Sequence, residues 1–539
     1  MSALPAAGAD RRVSVRSGGI AALVALLLLV VVPRGGDAAA HLYRTLLVEH
    51  GALVWDNLWF AGQYPLASYS VLYYLPAAVV GNALLAAAGV VASALLFAAI
   101  VVRAWGRVAR WGAYSFAVLA GGQFFTGDYP YTLGFTFLLA SVFALQRGRR
   151  ALGVACAGIT LGCSPLAFLF LCLTLAALLV RSRRPRLREV ALALPLGVIA
   201  VLELAVLHLF PSPRLTYPFT LWRLMLGVPV GVVGALVASR GRSRALVSVF
   251  AVWTAATIVA YTISSPFGHN LLRPATVVFP IMLIAASLAR FRPCWLAVPA
   301  VVGAFAANVG PYVATVVSRD DPAAAVGFWR PMLTYVRRHS SAAFRLEVVP
   351  TVNHWEAYYV PRAGFAIARG WYQQLDSGAN AALYRRPLTP RAYRAWLRSV
   401  GVEDVVVANT APAAEAGPEL RLLRSGRSGL ARVFSSREGS VYELPHATPI
   451  VTGSARAAIV AQSFSGIRGW ASRPGRYLMR VHFTPYWKLR RGALCVSRAP
   501  DDMTYLHVER RGSFTLHAAE GPVSVAALLL DADGEAVCR

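Results

Sequence analysis

Asp37, His41 and Arg44 follow one another at spacings i, i+4 and i+7, so they share one face if the segment 37–50 is helical. A carboxylate, an imidazole and a guanidinium on one face can take a proton from a hydroxyl and hold an anionic group beside it. The competing reading of Asp37 is a helix cap. Just beyond, segment 55–65 (WDNLWFAGQYP) sets Trp55, Asp56, Trp59 and Tyr64 close together. These side chains fit either an interfacial aromatic belt or a loop that meets an acceptor molecule. Asp128, in the segment GDYPY at 127–131, either initiates a turn or joins Asp37 in the chemistry. Segment 264–274 (SSPFGHNLLRP) adds His269 and Arg273. An arginine just before a helix start is electrostatically awkward, which fits a phosphate partner or a lipid headgroup. Glu203 lies inside an apolar segment with His208 nearby, either as a structural hydrogen-bonding group or as a proton relay.

The elements that must position these groups are apolar helices. Of 539 residues, 57% are hydrophobic and 14% charged, and runs such as 21–32 and 83–102 carry no charge at all. Runs of that length suit a hydrocarbon layer about 30 Å thick. The formal charge of +28 comes almost wholly from arginine, since Lys488 is the only lysine. Arginine clusters recur around residues 11–16, 103–110, 147–150, 181–188, 240–244 and 290–292. Between clusters the sequence holds two crossings separated by a short break, so the basic groups fall on every second connection. That is the positive-inside pattern, and it explains the basic charge by topology, not by nucleic acid.

About eleven transmembrane helices follow, with the N-terminus inside and the chain beyond about residue 318 outside. The acids and histidines named above then fall on the outer face, Glu203 excepted. An alternative reading of the first span is a cleavable signal peptide ending near 37–41 (DAAAH), which leaves ten spans in the same orientation.

The fold class expected is therefore a polytopic α-helical membrane protein with a C-terminal extracytoplasmic α/β plus β-sandwich region. Residues 1–317 form the transmembrane domain, with a long first outer loop at 33–69. Residues 318–428 read as an α/β module, with helices near 325–339, 370–377 and 390–400 and strands at 345–350 and 402–408. Residues 429–539 read as a β-rich module, from period-2 runs at 430–434, 441–444, 477–483 and 523–530. Cys495 and Cys538 are the pair able to form a disulfide outside, or they are two buried thiols. No Walker A, Rossmann fingerprint, zinc spacing or nucleophile elbow occurs in context, which excludes a nucleotide-driven pump.

The layout and the segments at 37–44, 55–65, 127–134 (GDYPYTLG), 353–359 (NHWEAYY) and 484–488 (TPYWK) together resemble the GT-C superfamily of integral membrane glycosyltransferases. The resemblance covers most of the chain in layout, through diffuse motifs. It implies a plasma-membrane enzyme moving a sugar from a polyprenyl-phosphate donor to a cell-envelope glycan or lipid. It implies Asp37 as base or metal ligand, with His41 and Asp128 assisting, and Arg44, Arg273 and His269 on the donor phosphate. Trp55, Asp56, Trp59 and Tyr64 then meet the acceptor. Many relatives have paired acids where this chain has Asp37 followed by Ala38, so a divalent metal at Asp37 and Asp128 is left open. Trp470, Tyr486 and Trp487 are the outer aromatics available to stack on a glycan. The rival reading is a non-catalytic envelope-lipid transporter or flippase, or an assembly scaffold.

Overall fold

The computed structural model describes residues 7–31, 35–65, 69–181, 193–209, 217, 219–265, 267–273, 275–317, 320–518 and 536–538. The chain divides into two compact units. The first comprises Met1–His41, Tyr69–His208 and Leu215–Arg319, and the second Leu42–Ser68, Leu209–Arg214 and Asp320–Arg539.

Among the described residues the first unit is almost wholly helical, as its near-continuous apolar sequence requires. In order it contains α1 (Ala7–Val31), α2 (Ala38–Glu49, which the division crosses), α3 (Tyr74–Val80), α4 (Asn82–Trp105), α5 (Arg110–Leu119), α6 (Gly121–Phe125) and α7 (Tyr129–Gln146). There follow α8 (Arg150–Cys163), α9 (Pro165–Arg181), α10 (Ala193–Leu209), α11 (Leu221–Arg240), α12 (Arg244–Thr262), α13 (Ala275–Leu288) and α14 (Cys294–Val317). Helices occupy every apolar segment in which the sequence places a crossing. Among the described residues four stretches are long and apolar enough to span a membrane: Arg11–Val30, Asn82–Leu119, Leu221–Arg240 and Arg244–Thr262. Five shorter apolar helices accompany them. The exposed side chains of these helices include the large apolar Val30, Val180, Leu194 and Trp295, as expected where the surrounding solvent is lipid.

The second unit begins within α2, at Leu42. Residues 42–68 thus belong with the C-terminal half, not with the helical domain in which the sequence reading set them. The reason is their apolar content. Trp55, Trp59 and Phe60 are buried in the second unit, where Trp59 donates through Nε1 to Ala357 O at 2.9 Å. Backbone bonds bind the loop at three further points: Asn57 N to Phe464 O, Ile367 N to Leu58 O, and His482 N to Ala61 O.

A mixed sheet of order β1-β2-β4-β3 forms the α/β part of this unit. β1 (Arg345–Val348) and β2 (Val402–Ala408) are parallel, whereas β4 (Gly439–Glu443) and β3 (Ala431–Ser435) are antiparallel additions. The helices Val326–His339, Pro390–Ser399 and Gly417–Arg424 supply its apolar cover, including Tyr393, Leu397 and Leu423. Because β3 and β4 hydrogen-bond into this sheet, it runs to Glu443, past the 428/429 division expected from the change in periodicity. A hairpin has the same period-2 pattern whichever sheet it joins.

The rest is a pair of four-stranded sheets. One has the order β10-β11-β8-β5 and the other β6-β7-β12-β9. Their strands are β5 (Val451–Gly453), β6 (Ala457–Gln462), β7 (Gly466–Ala471), β8 (Gly475–His482), β9 (Trp487–Arg491), β10 (Leu494–Arg498), β11 (Met503–Val508) and β12 (Gly512–Ala518). Alternation along β7, β8, β11 and β12 turns every second residue inward, as a sandwich requires. Cys495 and Cys538 are joined in a disulfide with a Cα separation of 5.0 Å. The strand expected at 523–530 lies outside the described residues.

Candidate functional site

The polar centre of the helical unit is built by two glycine-bearing loops in contact. Gly35 lies so close to the turn after α6 that a Cβ there would sit 2.3 Å from Thr126 O. Gly127 takes φ +86°, and a Cβ on it would come within 2.5 Å of Ala38 N. Both positions therefore demand glycine, the second for conformation as well as space. This approach brings Asp37, just before α2, beside Asp128, the N-cap of α7.

Arg273, after the short turn Gly268–Leu272, closes the group. Its Nη2 donates to Asp37 Oδ2 at 2.9 Å, its Nη1 donates to Asp128 Oδ1, and its Nε donates to Asn270 Oδ1 at 3.0 Å. Thr126 Oγ1 donates to Asp128 Oδ2 at 3.0 Å. One guanidinium thus spans two carboxylates that are 236 and 145 residues away in sequence. The site remains open to solvent: the Asp37 and Arg273 side chains are 30% and 27% exposed, Asp128 12%.

The two acids are not equivalent. Burial pushes the Asp128 carboxyl up, Arg273 opposes it, and the charge of Asp37 adds to the rise, so Asp128 keeps its proton well above the usual carboxylate range. Burial acts on Asp37 in the same sense, but the hydrogen bond from Asp128 and the charges of Arg273 and His41 outweigh it. Asp37 is held below the usual range and is the ionised member. The pair shares one proton, as closely placed carboxyls do.

His41, one turn into α2, is buried. Its Nδ1 lies 2.9 Å from Tyr74 Oη, and its ring stacks on Tyr69 with centroids 5.7 Å apart. It acts on Asp37 through its charge when protonated. Tyr131, one turn into α7 from Asp128, is fully buried and was not singled out from the sequence; its hydroxyl has no partner among the described residues.

Of the sequence-selected residues, Asp37, His41, Asp128 and Arg273 are brought together. Arg44 belongs to the second unit, where its guanidinium lies 4.3 Å from the ring centroid of Tyr372. Trp55, Asp56, Trp59 and Tyr64 also belong there and are buried, not displayed as a belt. Asp56 accepts from Tyr43 Oη at 2.8 Å, from Leu58 N at 3.0 Å and from Gln63 Nε2 at 3.2 Å, and burial raises its carboxyl to about 6 against those bonds. These contacts make it a tie that shapes the loop. The side chains of His269 and His208 lie outside the described residues. Glu203 is half-buried in α10 and makes no hydrogen bond or ion pair among the described residues, so the partner expected for it is not found there.

A divalent ion does not fit this donor set. Arg273 sits between Asp37 and Asp128 with a guanidinium nitrogen on each, where a bridging ion would have to be. Among the described residues no group of three or more His, Cys, Asp and Glu is arranged to hold a metal.

No family model matches the chain, and no curated protein does. Among solved structures it is similar to the crystal structure of ArnT from Cupriavidus metallidurans in the apo state. The two share 14% sequence identity over 78% of this chain and 97% of that one, with a TM-score of 0.45.

Proposed function

We propose that the chain is a GT-C-type membrane glycosyltransferase that moves a sugar from a polyprenyl-phosphate donor to a cell-envelope acceptor on the outer face of the plasma membrane. In this reading the apolar helices make about eleven crossings, and both termini follow the positive-inside assignment, N-terminus cytoplasmic and C-terminal unit extracytoplasmic. The observation that carries it is the Asp37–Arg273–Asp128 group, where an ionised carboxylate and a fixed cation meet at helix ends flanked by lipid-facing apolar surface.

The chemistry asks for those two charges. Transfer breaks the bond between the anomeric carbon and the donor phosphate oxygen and forms one to an acceptor hydroxyl, whose proton must leave. Asp37, ionised by its neighbours, accepts that proton. The exposed edge of Arg273 stabilises the negative charge gathering on the departing phosphate, which carries the leaving electron pair. Asp128 holds Arg273 and Asp37 in register and keeps its own proton, and His41 adds a second positive charge when protonated. No metal step enters, because the cation in place is the guanidinium.

The test is sugar transfer by purified protein from a panel of polyprenyl-phosphate sugars, beside Asp37→Asn. The expected result is transfer or slow donor hydrolysis that drops by about 10²-fold or more in the variant, the usual range for loss of a general base. Turnover equal in both proteins removes Asp37 from the mechanism. No turnover of any donor by folded protein moves the weight to a transporter or scaffold.

A further inference from the structure

The outer face of the sheet β6-β7-β12-β9 is an unusual surface. Its four strands contain no aspartate or glutamate and contribute Arg468, Lys488, Arg490 and Arg491. Alternation turns Arg468 and Trp470 of β7 outward, together with Ser513, Thr515 and His517 of β12. The register aligns Arg468 with Thr515 and Thr515 with Arg491, so two guanidinium groups flank one hydroxyl across three strands, about 10 Å apart. In the next row Trp470 stands opposite Ser513 and Ala458. Trp470 is 38% exposed, whereas Tyr486 and Trp487 are buried. Of the three aromatics that the sequence offers for stacking, the sheet thus displays one.

We propose that this face binds an anionic segment of a polysaccharide, with Trp470 stacked on a sugar ring and Arg468 and Arg491 on its carboxylate or phosphate groups. The charge complementarity is one-sided: four cations and no acid along the strands, with arginine forks suited to planar or tetrahedral anions. Small and hydroxyl-bearing neighbours (Ala458 and Ser513 opposite it, Thr515 in the next row) leave the indole face accessible and offer hydrogen bonds at its rim. A surface made to lie in lipid would instead carry several large apolar groups, and here only Val460 and Trp470 are of that kind. The proposal rests on the glycosyltransferase reading for its role, which is to hold the acceptor, and on the sheet alone for its chemistry.

The test uses the full-length protein in detergent, with alginate as the polyanionic glycan, dextran as the neutral one and phosphatidylglycerol vesicles as the anionic lipid surface. Expected is alginate binding that weakens with salt and falls about tenfold or more in Trp470→Ala and in Arg468→Ala/Arg491→Ala, from lost stacking and lost charge-assisted bonds. Trp470→Phe retains most of it. Arg432→Ala, on β3 in the other sheet, leaves it unchanged, and equal melting temperatures show that the variants are folded. Equal binding of dextran, binding of vesicles alone, no alginate binding, or alginate binding indifferent to the variants each overturns the proposal. Donor turnover reads the enzyme separately. Alginate binding without any donor turnover sinks the glycosyltransferase reading and leaves this one standing, and turnover without alginate binding does the reverse.

Discussion

At the scale of single residues, the division of labour between Asp37 and Asp128 has a measurable signature. Asp128 holds the shared proton because it is the more buried acid and faces the charge of Asp37. As pH rises through its elevated range Asp128 gives up that proton and with it the hydrogen bond it donates to Asp37. The pH–rate profile is therefore expected to fall on the alkaline side. Asp128→Asn cannot ionise, yet its amide still donates to Asp37, so the variant should keep neutral-pH turnover within about tenfold and lose the alkaline fall. A fall of the same shape in the variant assigns it elsewhere. The sequence pointed to Asp37, Asp128 and Arg273 one by one, because ionisable groups are rare in apolar sequence. It did not show that Arg273 would be the counter-ion of both acids. That relation depends on two loop–loop contacts that need glycine at 35 and 127, and neither glycine has a local signature beyond its identity. Helical spacing puts Arg44 on the face of Asp37 and His41, and α2 is continuous from Ala38 to Glu49, while the division between the two units falls between His41 and Leu42.

At the scale of elements, the sheet of the α/β part contains a built-in repulsion. Asp404 of β2 stands directly opposite Glu443 of β4, and Glu403 is the neighbour of Asp404. Like charges facing each other across an antiparallel pair destabilise it. Burial, then the charges of Asp404 and Glu443, push the Glu403 carboxyl up to about 7, and burial also raises Asp404 against the bond it accepts from Ser340. The sign follows from proton binding. Between the ordinary carboxylate range and about pH 7 the folded protein holds more protons than the unfolded chain, so stability falls as pH rises through that window. Glu443→Gln removes one of the repelling charges and should flatten the decline, read as melting temperature from pH 5 to pH 8 on the order of a few degrees. A slope unchanged in the variant places its origin in other groups. Elements were the most legible level of the sequence. Apolar runs and arginine clusters marked each long helix, and β1, β2 and the helix Pro390–Ser399 lie where periodicity put them. The pairing partners of β3 and β4 were not legible, since period-2 alternation states which face is inward and not which sheet is adjacent.

At the scale of the whole molecule, orientation across the membrane is the property on which the proposed function depends, and the native cysteines can report it. Cys495 and Cys538 form a disulfide in the second unit, which requires an oxidising compartment. Cys294 is exposed at the start of α14, directly after the arginines at 290 and 292, which the proposed topology puts on the cytoplasmic side. Cys156 and Cys163 are buried within α8 and supply little signal. In intact cells a membrane-impermeant maleimide is expected to label nothing strongly until a reductant is added, when Cys495 and Cys538 become reactive. Cys294 should react only after the membrane is opened, and Cys294→Ser should remove that second signal alone. In the proposed topology a single crossing, α14, separates Cys294 from the disulfide unit, which gives this result. Labelling of Cys294 in intact, unreduced cells would invert the orientation and put Asp37, Asp128 and Arg273 on the cytoplasmic face. The donor phosphate and the envelope acceptor would then lie on opposite sides of the bilayer, and a transferase at that site could not join them.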